Sequence, residues 1–169
     1  MRGDEFMTFK FVDPKDENEI KQMSLIASRI YKEYYDELLG AAQNDYMIDL
    51  FLSPQAIKDN LSHGYTYCFA RETDVDAGFM AFYPREDAMY LSKLYLDKPY
   101  RGKGYAHDMI DFIKSEAEKS GLHAIELNVN KNNISKYIYE RLGFRLARDE
   151  KNDIGHGYYM DDYVYRLEW

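Results

Sequence analysis

A single cysteine, Cys68, is all the thiol chemistry this 169-residue chain carries. No internal disulfide can form, and a reducing cytoplasm is the expected setting. Long apolar runs are missing too. None approaches the ~18 residues that a membrane-spanning helix needs, and the N-terminal stretch has no apolar signal segment. Positive charge is also short: 22 Lys and Arg face 30 Asp and Glu, for a net charge of −8. That balance excludes the basic face of a general nucleic-acid binder, so neither nucleic acid nor membrane is an expected partner. It suits a cationic substrate, and equally a merely soluble surface. The four histidines have no metal-ligand spacing with one another or with Cys68, so no metal is expected. No repeat, linker or low-complexity tract interrupts the chain.

What is present fits one globular domain over residues 1–169, with 46% apolar residues to build a core. Met7 offers a second start, which would make residues 1–6 an addition. Thr8–Val12 reads as a first strand. Asp16–Tyr35 reads as a helix with Ile20, Met23, Ala27, Ile30 and Tyr34 on one face. Asp45–Leu52 reads as a second helix or a lid. Ser53-Pro54 caps a third helix, running to His63. Tyr65–Arg71, Ala77–Tyr83 and Met89–Leu96 read as an antiparallel meander. Gly104–Ser120 is a helix with Ala106, Met109, Ile110, Ile113 and Ala117 on its stripe. Ala124–Val129 alternates apolar and polar residues, and its crossover makes it parallel to Leu91–Leu96. Asn133 caps a helix that buries Ile134, Ile138 and Leu142. Phe144–Arg148 and Tyr158–Leu167 read as two last strands around a polar loop, Asp149–Gly157. The fold class is α/β: one mixed, mostly antiparallel sheet with helices on both faces.

The chemistry concentrates in Leu91–Ala106, LSKLYLDKPYRGKGYA. A strand leads through Asp97-Lys98-Pro99 into a basic glycine loop, and a helix follows at once. The first N–H groups of a helix lack intrahelical partners and its dipole favours an anion, so this layout holds a phosphate. Gly102 and Gly104 allow close backbone approach, and Arg101 and Lys103 add positive charge. A dinucleotide fingerprint is excluded because position 107 is His. A nucleoside-triphosphate loop is excluded because Lys103 is followed by Gly104 and position 97 is Asp.

Arg101, Gly104 and Ala106 form R-x-x-G-x-A, which resembles the pyrophosphate loop of the GNAT superfamily of N-acetyltransferases. A second pattern lies one strand further on: Val129, Asn133, Tyr139, Gly143 and Phe144, resembling the family's V-x3-N-x5-Y-x3-G-F. The two stand in the family's order and separation, over roughly Leu91–Phe144. The resemblance implies acetyl-CoA as co-substrate. The first splayed strand, Leu94, Tyr95 and Leu96, would offer backbone hydrogen bonds to the pantetheine arm. N–H groups from Arg101, Gly102, Lys103, Gly104, Tyr105, Ala106 and His107 would hold the pyrophosphate. Asn133 would reach the pantetheine region and Tyr139 the sulfur. A phenol is protonated at neutral pH and can donate to a leaving thiolate. The acceptor amine must lose a proton, attack is direct in a ternary complex, and a backbone N–H such as that of Leu94 could stabilise the oxyanion.

Many relatives carry a glutamate base on the first splayed strand. This chain has Ser92 and Lys93 there, which leaves Glu126 or a water relay as base. Gly155–Val164 and the segment around Asp45–Asp49 are similar to bacterial members grouped with polyamine acetyltransferases, making a small-molecule amine the leading acceptor. A protein or peptide acceptor, a longer acyl group and a non-catalytic acyl-CoA sensor are the alternatives. A homodimer, with the aromatic strand Tyr158–Tyr165 at its interface, is a further option. Tyr31, Tyr34 and Tyr35 read first as a helix core stripe and its rim, Asp161-Asp162 as a solvated hairpin end, and Cys68 as a buried hydrophobe.

Overall fold

The computed structural model describes residues 7–169, so the question of an added residue 1–6 segment lies outside the described residues. The elements are β1 (Met7–Phe11), α1 (Glu17–Leu39), α2 (Ala41–Leu52), α3 (Pro54–Ser62), β2 (Thr66–Glu72), β3 (Val75–Pro84), β4 (Met89–Leu96), α4 (Tyr105–Lys119), β5 (Ala124–Asn130), α5 (Lys136–Arg141), β6 (Arg145–Gly155) and β7 (Tyr158–Glu168). The fold is mixed α/β, with seven strands hydrogen-bonded in the order β1-β2-β3-β4-β5-β7-β6. The chain divides into two compact units, residues 7–83 with 93–110, and residues 84–92 with 111–169.

In the first unit, β1 pairs antiparallel with β2, and β2 with β3. The β2–β3 turn needs only Thr73 and Asp74, both at positive φ (45° and 65°), the backbone that suits a two-residue hairpin. The turn is therefore three residues shorter than the Glu72–Asp76 turn expected from sequence. Phe69, Ala70, Phe79, Met80 and Ala81 are all buried, as is the lone thiol of Cys68. Helix α1 starts where Asp16 accepts from the N–H groups of Asn18 and Glu19, and it buries Ile20, Met23, Ala27 and Ile30. It also runs a turn past Tyr35, to Gly40. Tyr31 and Tyr35 are buried and Tyr34 is half-buried, so the stripe drifts around the helix as a 3.6-residue period requires. The Ser53 hydroxyl caps α3 by accepting from Ala56 N–H at 3.1 Å, with Pro54 at the first helical position.

In the second unit, the start of β4 runs parallel to β5 in the register Met89↔Ile125, Tyr90↔Glu126, Leu91↔Leu127. β5 pairs antiparallel with β7, and β7 with β6. Two expectations fail here. The polar stretch 149–157 is not a loop: β6 continues to Gly155, and only His156 and Gly157, at φ 55° and 78°, make the turn. β6 reads as a loop because it is exposed along almost its whole length, so no apolar alternation marks it, and its pairing comes from the backbone ladder alone. The second failure is the helix after β5. It begins at Lys136 rather than Asn133, and Ile134 and Ile138 are exposed at 77% and 48%. Residues 131–135 are instead held by side chains returning to the backbone: Asn130 accepts from Asn132 N–H, and Asn133 from Ser135 N–H, both at 2.9 Å.

Candidate functional site

The glycine loop grows from the end of β4. Gly78 on β3 has no room for a Cβ, which would lie 2.2 Å from the Tyr95 carbonyl oxygen. Asp97 N–H donates to the Ala77 carbonyl at 2.7 Å. The backbone groups of Tyr95 and Asp97 therefore face β3. Because polar groups alternate along an extended strand, those of Leu94 and Leu96 face away from it. Arg101 Nε takes the Leu96 carbonyl at 3.1 Å. That leaves the Leu94 N–H and carbonyl and the Leu96 N–H as the groups directed at whatever lies alongside the strand.

Past β4, Asp97 caps a single 3-10 turn, Lys98–Tyr100. Gly102 and Gly104 then adopt φ 79° and 81°, a backbone that favours glycine, and α4 begins at Tyr105. A Cβ on Gly102 would meet nothing within 4 Å, so the loop has open space beside it. This is a cradle for an anion: bent backbone leading to the positive end of a 15-residue helix.

The two cations of the loop are engaged elsewhere. Arg101 reaches both carboxylate oxygens of Glu33 on α1, at 3.2 and 2.5 Å, and stacks 4.0 Å over the Tyr34 ring. Burial pushes the Tyr34 phenol up, against the pull of that guanidinium. Lys103 lies 3.5 Å from Glu72, whose carboxylate also accepts from the Tyr105 hydroxyl. Tyr105, expected as a loop N–H donor, is thus a core side chain as well, 1% exposed. Ala106 is half-buried and His107 exposed.

On β4 itself, Tyr95 sits in an aromatic cluster. Its hydroxyl is 2.7 Å from that of Tyr35, and its ring packs edge-on to Tyr31, Tyr34 and Tyr35 and tilted against Phe79. Two residues back on the same strand face, Lys93 Nζ lies 5.8 Å from the Phe51 ring centroid. Although Lys93 as a residue is half-buried, desolvation pushes its ammonium down to about 8. Sequence reasoning noted Lys93 only as a residue that is not glutamate.

In the second unit the Tyr139-x3-Gly143-Phe144 pattern has a plain mechanical reading. Phe144 N–H donates to the Tyr139 carbonyl at 3.0 Å and Gly143 N–H to the Glu140 carbonyl at 3.1 Å. Gly143 has φ 98°. These are the paired bonds of a Schellman helix end, with glycine at the left-handed position. The apolar contact that goes with it is the edge-on packing of Tyr139 against Phe144, ring centroids 5.6 Å apart. The motif fixes the half-buried Tyr139 ring against a buried Phe144.

Glu126, the base suggested from sequence, is 8% exposed and holds two guanidinium groups, Arg148 at 3.1 Å and Arg166 at 2.6 Å. Both its oxygens are engaged in tying β5 to β6 and β7. Asp162 also departs from expectation. It is 2% exposed, not solvated, and is linked through Asn128 to Glu150 and to the Tyr90 hydroxyl. Burial raises its carboxyl above the ordinary aspartate range. A buried aspartate in a charged hairpin leaves no apolar trace in the sequence. No group of three or more His, Cys, Asp or Glu that could hold a metal occurs among the described residues. Among the same residues, no helix is long and apolar enough to cross a membrane.

A mixed sheet with one parallel strand pair, a glycine loop opening a helix, and a tyrosine on a helix end define the acyl-coenzyme A N-acyltransferase class of fold. The family model described as acetyltransferase (GNAT) domain matches residues 29–158. The chain belongs to the GNAT acetyltransferase family, and with it to the enzymes that take an acetyl group from acetyl-CoA. A search of curated protein sequences found no match. Among solved structures, the PaiA N-acetyltransferase of Thermoplasma acidophilum in complex with coenzyme A is similar, with a TM-score of 0.77, 15% identity, and coverage of 97% of this chain and 99% of that one. A GNAT family acetyltransferase of Elizabethkingia anophelis with acetyl-CoA bound gives a TM-score of 0.65 at 12% identity, covering 96% and 98%. An N-acetyltransferase of Staphylococcus aureus Mu50 gives 0.67 at 20% identity, covering 96% and 97%.

Proposed function

We propose that this chain transfers the acetyl group of acetyl-CoA to a primary amine of a small molecule, by direct attack in a ternary complex. The observation that carries the reading is the cradle at the start of α4, where Gly102 and Gly104 bend the backbone to the positive end of the helix. There the N–H groups of 102–107 hold the pyrophosphate, and the outward groups of Leu94 and Leu96 pair with the pantetheine amides. The known structures with coenzyme A or acetyl-CoA bound support the same co-substrate. Asn133 assists at the pantetheine end.

The acceptor arrives as an ammonium ion, and with an amine pKa of ~10.4 it must lose a proton before it can attack. A water relay takes that proton, since Glu126 is already shared between two arginines. The amine nitrogen bonds to the thioester carbonyl, the Leu94 N–H stabilises the oxyanion, and the carbon–sulfur bond breaks. Tyr139 gives its hydroxyl proton to the leaving thiolate, and the second proton of the attacking nitrogen, released through water, restores the phenol. A net charge of −8 favours a cationic acceptor, and polyamines are the first class to try.

The test is thiol release from acetyl-CoA with polyamines, amino acids and a lysine peptide. Turnover with a small amine supports the reading. Turnover with the peptide alone would move the acceptor to proteins, and binding without turnover would make the chain a sensor. Tyr139→Phe is expected to lower kcat by about 10²-fold or more, with little change in KM for acetyl-CoA.

A further inference from the structure

Two carboxylates from outside the glycine loop reach its two cations, and they do so differently. Glu33 grips Arg101 through both oxygens, on a guanidinium already stacked on Tyr34 and bonded to the Leu96 carbonyl. That cation is locked in place. Glu72 lies 3.5 Å from Lys103, whose ammonium also sits 5.7 Å from the Tyr100 ring centroid, and the same Oε2 accepts from the Tyr105 hydroxyl. Glu72 ends β2 just before the tight Thr73-Asp74 turn, its side chain is only 14% exposed, and neighbouring Arg71 is braced by Asp76 at 2.7 Å. It is therefore a rigidly placed negative charge beside the first turn of α4. A buried tyrosine with its hydroxyl paired is a firm anchor, whereas a long ion pair from a partly exposed lysine is weak and exchangeable.

Resting on the reading that this loop cradles a pyrophosphate, we infer that Glu72 is a positioning residue that also sets the charge of the cradle. Through Tyr105 it fixes the helix turn whose N–H groups meet the anion, and it competes with the anion for Lys103. When the pyrophosphate arrives, Lys103 can reach it only by giving up Glu72. Glu72 thereby keeps binding of the co-substrate, and of the coenzyme A product, weaker than the cradle alone would make it.

The experiment measures acetyl-CoA affinity by calorimetry, and KM and kcat by thiol release, in wild type, Glu72→Gln, Glu72→Ala, Lys103→Gln and the Glu72→Gln/Lys103→Gln double variant. Gln keeps an acceptor for Tyr105 and drops the charge. Glu72→Gln is expected to tighten acetyl-CoA by about fivefold, because Lys103 no longer gives up an ion pair to meet the anion, with a steeper loss of affinity on adding salt. In the Lys103→Gln background that gain should shrink to near nothing. Glu72→Ala, which loses the Tyr105 anchor, should raise KM. A Glu72→Gln effect of the same size with and without Lys103, or no effect in either, overturns the inference and leaves Glu72 a structural residue. Should Glu72→Gln fail to fold, Lys103→Gln alone decides: an unchanged salt dependence of binding overturns it. If wild type binds no acetyl-CoA, it is the reading of the loop that fails.

Discussion

Lys93 occupies the strand where many relatives place a glutamate base, and burial gives it a different property from a surface lysine. Its folded-state pKa of about 8 lies below the ordinary 10.5, so the folded chain binds a proton less readily than the unfolded one. Below pH 8 the folded state carries a desolvated ammonium at a cost, and that cost disappears as pH rises from 8 toward 10.5. Lys93→Met is therefore expected to stabilise the protein at pH 7, by at most about 3 kcal/mol, with the gain vanishing near pH 10. Urea denaturation at the two pH values checks it, and equal gains at both would mean the ammonium is not desolvated. Glu126 tests the opposite case, a charge fully used. Glu126→Gln should cost about 1–3 kcal/mol, because two arginines lose a buried partner. The pH profile of turnover should keep its shape. A shift in that profile would return Glu126 to the role of base.

The helix end at Leu142-Gly143 shows what a motif can be at the level of an element. The Y-x3-G-F spacing was legible in the sequence as a family pattern, and the structure supplies its mechanics: an ordinary helix terminus with an aromatic clasp. Gly143→Ala forces a side chain into a left-handed backbone and puts a Cβ 3.2 Å from a Leu167 methyl. We expect a loss of about 1–2 kcal/mol together with a fall in kcat, since Tyr139 is positioned by the same turn. A stability loss with unchanged kcat would separate the two roles. Periodicity found the start of α1, and α3, α4 and β5 nearly to the residue, because each has a covered apolar face. It missed the start of α5 and the length of β6 because both are largely exposed and are built by side-chain-to-backbone bonds and backbone ladder. Asp162 was misjudged, and the part played by the Tyr105 side chain went unread, for a related reason: a buried carboxylate or hydroxyl is recognisable only once its partner, Asn128 or Glu72, is known.

For the molecule as a whole, the prediction is one of linkage. A ligand that binds only the folded chain stabilises it by about 2.7 kcal/mol at a hundredfold excess over Kd. Acetyl-CoA should therefore raise the melting temperature, while adenine or pantetheine alone should do far less, because neither carries the pyrophosphate. A melting temperature indifferent to acetyl-CoA would remove the basis for the assignment of the loop. Most of the cradle could be read from sequence because glycines, a helix start and an anion go together through general physics. The acceptor could not, since no motif or spacing in the chain marks the residues that would hold it.

The long β6–β7 hairpin has a consequence for association. From Asp162 to Arg166, β7 is bonded on both sides, to β5 and to β6, so that part of it has no backbone row left for another chain. β6 is the outer strand, and an open strand edge invites stacking of one molecule on the next. Its exposed length, RLARDEKNDIG, is studded with both signs of charge. A second β6 zipping onto it would have to match those signs, and many slips would set like charges face to face. The segment that looked like an unstructured loop is thus a guarded border, one that keeps an exposed sheet from growing into an aggregate.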